Sequence, residues 1–207
     1  MPKSICLSLV FLFLFSAKPD CKEHRTGSVI IKDRTIEEDL EVFGNLHFEN
    51  LTVTGKTKVS GAVDGDQGTF DALDVDGSVD ITNTHVQTLN VEGFVKGINI
   101  TVDGETAIFG FLQARRGKFK DLTITTNKII LINCCTDNIL IKSTDKPEDE
   151  NKTTQTLILQ GKCIINGNIT FEGENGTIIM GQKAKINGKV IGGKVTLRDK
   201  KAKAKGR

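Results

Sequence analysis

Leu73-Asp-Val-Asp-Gly77 is a five-residue phrase that this chain repeats. Leu51-Thr-Val-Thr-Gly55, Leu89-Asn-Val-Glu-Gly93 and Ile100-Thr-Val-Asp-Gly104 follow the same formula, and Leu157-Ile-Leu-Gln-Gly161 and Ile169-Thr-Phe-Glu-Gly173 are looser copies. Apolar and polar residues alternate in each, with a bias to branched side chains, which is the period of a strand with one buried face. The closing glycine supplies a positive-φ turn or a close backbone approach. Most phrases are followed by a second short strand, such as Lys58-Val-Ser-Gly61 or Phe94-Val-Lys-Gly97. Two-residue hairpin turns between complementary strands are mostly missing, which argues against a sandwich or meander. The first four copies are 22, 16 and 11 residues apart, and Gly161, Gly167 and Gly173 step by six. Short strands, regular corners and repeats that cannot bury an apolar edge alone predict an all-β, single-stranded parallel β-solenoid.

Two longer stretches carry a resemblance. Leu40-Glu-Val-Phe-Gly-Asn-Leu-His-Phe-Glu-Asn-Leu-Thr-Val-Thr-Gly55, continuing through Lys58-Val-Ser-Gly-Ala-Val-Asp-Gly65, resembles the opening of a bactofilin. Gly167-Asn-Ile-Thr-Phe-Glu-Gly173 and Ala184-Lys-Ile-Asn-Gly-Lys-Val190 are similar to the later part of that family. The resemblance implies a small parallel β-helix that assembles into filaments without nucleotide. The same phrases also resemble repeats of phage tail fibres and secreted bacterial repeat proteins.

Around the repeats lie segments of different character. Met1-Pro-Lys-Ser4, the apolar run from Ile5 to Phe15, and the pair Ser16-Ala17 give the layout of a secretory signal peptide over residues 1–17. The apolar run is too short to span a bilayer as a helix; an uncleaved membrane-touching anchor is the other reading. Residues 18–39 are expected as a lead-in or cap. Within 35–43, the spacing of Ile36, Leu40 and Phe43 fits either a capping helix or another strand. The solenoid is expected over 40–197. No glycine occurs between Gly117 and Gly161, so longer strands and a projecting polar loop at 143–156 are expected there. Residues 198–207 form a basic tail, expected to be disordered.

Charge excludes one class of partner. The net charge is +2, yet residues 200–207 hold four Lys and one Arg without an acid. Removing that tail and Lys3 leaves −4 for residues 4–199, and a nucleic-acid-binding domain usually shows a basic body. The tail could touch anionic lipid or an envelope polymer.

The search for reactive groups yields little. His24, His47 and His85 lie far apart and fit no ligand or base motif. Asp64, Asp66, Asp71, Asp74, Asp76 and Asp80 form an acidic cluster, readable as a solvated face or as oxygen ligands for Ca²⁺; the Ca²⁺-solenoid nonapeptide is missing. No phosphate loop, nucleophile elbow or Cys-x-x-Cys pair occurs, so neither an enzyme nor a cofactor is expected. Of Cys134 and Cys135, one should face inward in the register of Cys163; buried thiols and a bridge to Cys163 both remain open. Five Asn-x-Thr sequons begin at Asn50, Asn99, Asn151, Asn168 and Asn175. The leading expectation is an exported structural scaffold (periplasmic, cell-surface or extracellular) that self-associates as a homo-oligomer through solenoid ends, with Val195 and Leu197 at the joining face. The alternative is a binding module or adhesin for envelope glycan or protein.

Overall fold

The computed structural model describes residues 22–144 and 153–198; the expected signal segment, the centre of the polar loop and the basic tail from 199 lie outside the described residues. The described chain is all-β. Its strands are β1 (Lys22–Ile36), β2 (Asp39–Arg115), β3 (Lys118–Thr125), β4 (Lys128–Ile132), β5 (Cys135–Lys142), β6 (Gln155–Gln160), β7 (Ile164–Ile165), β8 (Ile169–Phe171), β9 (Gly176–Met180), β10 (Lys185–Ile186), β11 (Val190–Ile191) and β12 (Gly193–Leu197). Pairing is parallel throughout, from β1 on β2 to β12 on β9. The 77 residues of β2 are one continuous extended run that winds back on itself turn after turn. The result is the expected parallel β-solenoid.

The turns up to Ile129 take 16 or 17 residues, as the side-chain bonds Asn50 to Asp33 and Asn90 to Asp74 record; the turn that carries the polar loop takes 28, from Ile129 to Leu157, and the next takes 21. Three pairs of alternating residues point inward per turn, so the coil has three faces. One column of the first face runs Val29, Leu46, Val63, Val79, Val95, Leu112, Ile129, Leu157, Ile178 and Val195, which fixes ten turns. The second face stacks Val53, Phe70, Val86, Val102 and Phe119, and the third stacks Val42, Val59, Val75, Val91 and Ile108. Every one of these is buried except Val195, and each contributes about 1.5–3 kcal/mol of apolar burial. Size is matched between turns. The edge-to-face rings of Phe48 and Phe70, 5.3 Å apart, fill space beside Gly65 and Gly68, where an added Cβ would lie 2.6 Å from a ring atom.

Two corner columns explain the turns. Gly44, Gly61, Gly77, Gly93 and Gly110 hold φ between +136° and +149°, and each backs onto the carbonyl of the glycine one turn earlier. Six residues further on, Asp33, Asn50, Gln67, Asn83, Asn99, Arg116 and Asn133 occupy the left-handed region at φ 47–57°. Asn tolerates that conformation and bonds locally; Asn99 Nδ2 donates to Asn83 Oδ1 at 2.7 Å.

Two features differ from expectation, and one open alternative is decided. The coil is already present at Lys22, because β1 pairs with β2 along its length and residues 22–36 form a rung. Of the two readings of residues 35–43 the structure takes the strand: Arg34 to Ile36 pair with Leu51 to Val53, Glu37 and Glu38 make the break before β2 resumes at Asp39, and Phe43 points outward, 49% exposed. In the glycine-free window the strands are not lengthened; β3, β4 and β5 are five to eight residues long, and Asn133 takes the left-handed corner.

Leu89 is 1% exposed and Thr88 is exposed. Leu89→Asp should therefore cost several kcal/mol by placing a charge in a dry stack, whereas Thr88→Asp should cost under about 0.5 kcal/mol. Urea melts of the two variants check this, and equal losses would mean that the inward register is wrong.

A methyl on Gly77 would stand 2.0 Å from the Gly61 carbonyl oxygen at φ +144°, whereas at Gly173 the nearest atom is 3.5 Å away. Gly77→Ala is expected to lose about 3 kcal/mol or more, and Gly173→Ala about 0.5 kcal/mol or less. Thermal unfolding of both variants distinguishes the strained corner from the permissive one.

Candidate functional site

A solenoid exposes two kinds of surface, its flanks and its ends, and the candidate residues divide between them. The three histidines sit on the flanks, each against a carboxylate one turn away. His24 Nδ1 lies 3.0 Å from Glu41, His47 Nδ1 2.9 Å from Asp64, and His85 Nε2 3.4 Å from Asp103. All three are about half exposed, so they occupy outward ladder positions. The Glu41 carboxyl is held below its usual range chiefly by the bond from Lys22 Nζ at 2.9 Å, with the charges of His24 and Lys58 adding to it.

The acidic cluster is distributed in the same way. Asp64 faces His47, Asp66 accepts from Asn83 at 2.8 Å, Asp74 meets Lys56 and Asn90, and Asp80 pairs with Lys96 at 2.6 Å. A shallow recess of about 360 Å³ runs past His47, Glu49, Asp64, Asp66 and Asp80. Among the described residues, no group of three or more His, Cys, Asp or Glu side chains is arranged to hold a metal ion. The sequons at Asn50 and Asn99 coincide with left-handed corners, so their side chains are used in the asparagine ladder. Asn151 lies outside the described residues.

The structure brings Cys134 and Cys163 together and turns Cys135 away. Cys134 and Cys163 are buried in one inward column on adjacent turns, as free thiols, and the Cys134 amide points at the Cys163 sulfur at 3.5 Å. Their thiols lie 3.1–3.4 Å from the carbonyls of Ile132, Ala114, Leu131 and Gln160. Burial pushes the Cys134 thiol up to about 11 and raises Cys163 as well. Cys135 is half-buried on the outer face, with Asn166 Nδ2 3.8 Å from its sulfur.

The two ends differ most. At the N-terminal end, Glu23, Arg25 and Arg34 occupy positions that stack over Leu40, Val42 and Leu51 in the inward columns. Arg25 Nε donates to Glu23 Oε1 at 2.8 Å, and Arg34 reaches both oxygens of Glu23 at 3.3 and 3.1 Å. The apolar residues of that turn, Val29, Ile31 and Ile36, are buried. Charged residues turned inward at a sheet terminus discourage another strand from adding. At the C-terminal end, Val195 and Leu197 hold the same columns but are 45% and 64% exposed, and Ile191 beside them is 49% exposed. β12 pairs with β9 on one edge and ends the sheet path. Around it stand Lys183, Lys185, Lys189, Lys194 and Arg198, with no acidic residue between 181 and 198.

Sequence reasoning found Val195 and Leu197 but missed the N-terminal ion cluster and the basic rim. The signal for the cluster was present: three charges stand 17 residues before Leu40, Val42 and Leu51. No family model matches the chain, and neither a curated protein nor a solved structure matches it. The solenoid architecture by itself does not identify a family.

Alkylation with iodoacetamide at pH 8, followed by peptide mapping, should modify Cys135 in the native protein and spare Cys134 and Cys163 until denaturant is added. Native Cys134 reacting as fast as Cys135 would contradict its placement in the core column.

Proposed function

We propose that this protein is an exported structural scaffold rather than an enzyme, and that it works by end-on association through its C-terminal turn. The observation that carries the reading is the inequality of the ends. The N-terminal turn sets an ion cluster on its inward columns and buries Val29, Ile31 and Ile36, while the C-terminal turn exposes Val195 and Leu197 on a strand edge that pairs with no further strand among the described residues. An open terminal rung offers backbone donors and acceptors beside apolar side chains, a template for another chain. Ten turns at about 4.8 Å give a rod of roughly 45 Å, long enough to act as a spacer. The layout of residues 1–17 supports export.

Self-association in this arrangement joins two C-terminal turns. A filament would have to bury the Glu23–Arg25–Arg34 cluster at every joint, and burying charges whose hydrogen bonds are already made costs more than it returns. Each C-terminal turn carries five cations and no acid, so pairing should strengthen as salt screens them.

Sedimentation velocity over a concentration and salt series tests this. The expected outcome is a pair of copies that forms more readily at high salt and does not grow further. Val195→Lys with Leu197→Lys should return the protein to monomer with an unchanged far-UV spectrum. A wild-type chain that stays monomeric at high concentration and high salt would remove self-association, and long filaments would show that the N-terminal end is not closed.

A further inference from the structure

The charge along the rod is strongly uneven. Residues 4–180 hold 17 Lys and Arg against 25 Asp and Glu, a net of −8, whereas residues 181–198 hold five cations and no acid. The first turn, residues 22–38, balances four cations against four acids. The basic turn is also the one that exposes Ile191, Val195 and Leu197. Lys185, Lys189 and Lys194 are themselves exposed around that apolar end. A flat end with an apolar centre and a cationic rim, carried on an acidic shaft, has the two attractions of an interfacial lipid contact. Apolar side chains enter the headgroup boundary while Lys and Arg meet anionic headgroups.

We infer that the C-terminal turn docks end-on against an anionic lipid surface, with the acidic shaft held away from it. This rests on the reading that the C-terminal turn is the working end, but not on self-association. At low salt a second copy is the weaker occupant of that end, because pairing sets five unscreened cations against five. A lipid surface of opposite charge complements the rim, and it repels the −8 shaft, so only the upright orientation gains. Each Lys or Arg near such a surface is worth about 1 kcal/mol, roughly fivefold in binding.

The test is co-sedimentation of the full chain with vesicles of phosphatidylcholine alone and of phosphatidylcholine containing about a third phosphatidylglycerol. Binding is expected to the anionic vesicles and to fall at least about tenfold as salt rises from roughly 0.05 to 0.3 M. Lys185→Ala, Lys189→Ala and Lys194→Ala together should weaken it on the order of a hundredfold. Val195→Ser with Leu197→Ser should weaken it while leaving the salt slope unchanged. Far-UV circular dichroism checks that each variant is folded. The N-terminal 17 residues are common to all variants, so any contribution from them cancels. Equal binding to neutral and anionic vesicles, or indifference to the three lysine substitutions, overturns the inference. Stronger capture by soluble polyphosphate than by vesicles also overturns it, since the rim would then be a polyanion site. Copies that pair at high salt but ignore anionic vesicles overturn the lipid partner and leave the end-on scaffold standing.

Discussion

Everything in this molecule depends on returning the chain to the same three corners one strand-width further along the axis. At one corner the backbone of each turn lies against the carbonyl of the turn before, so close that Gly44, Gly61, Gly77, Gly93 and Gly110 leave no room for a Cβ. That contact sets the register, and the register sets the columns. Once Leu46 lies over Val29, alternation places Phe48 over Ile31 and sends His47 to the outer face. Packing then propagates size from turn to turn, as a ring in one turn uses the space left by a glycine in the next. The buried hydroxyls of Thr57 and Thr106 find no hydrogen-bond partner among the described residues.

The fold class was legible because period-two alternation and a terminal glycine are local signals. The turn length was not, and the reason lies in where the phrases fall. Leu73–Gly77 and Leu89–Gly93 both end at the glycine corner and are 16 residues apart, one full turn. Leu51–Gly55 and Ile100–Gly104 sit on a different face, so the spacings of 22 and 11 mix faces with turns. Any face of a three-sided coil needs the same apolar-polar formula, so similarity of phrase does not imply equivalence of position. The spacing of Ile36, Leu40 and Phe43 left helix and strand open for a related reason: a corner between two strands shifts the period from two to four.

The ends were only half legible. Val195 and Leu197 could be placed because they continue an apolar alternation to its last members. Glu23, Arg25 and Arg34 broke the alternation, which made residues 18–39 look like a lead-in, although 22–36 already pair as a rung. Charge at a core position reads as absence of structure unless the register is known, and here the register came only from pairing with β2. The thiols show the opposite case: alternation alone placed one of the adjacent cysteines beside Cys163, and the structure puts Cys134 there.

Because the strands lie across the rod, the ladder hydrogen bonds between turns run along it. A pull on the two ends therefore loads them in series, and the rungs peel away one after another instead of shearing together. Each released turn of 16 or 17 residues pays out roughly 50 Å of chain, and the two longer turns pay out more. Rupture would begin where the strands are shortest, at the two-residue β10 and β11. Under tension the rod would lengthen in steps, and its weakest link would be the C-terminal turn.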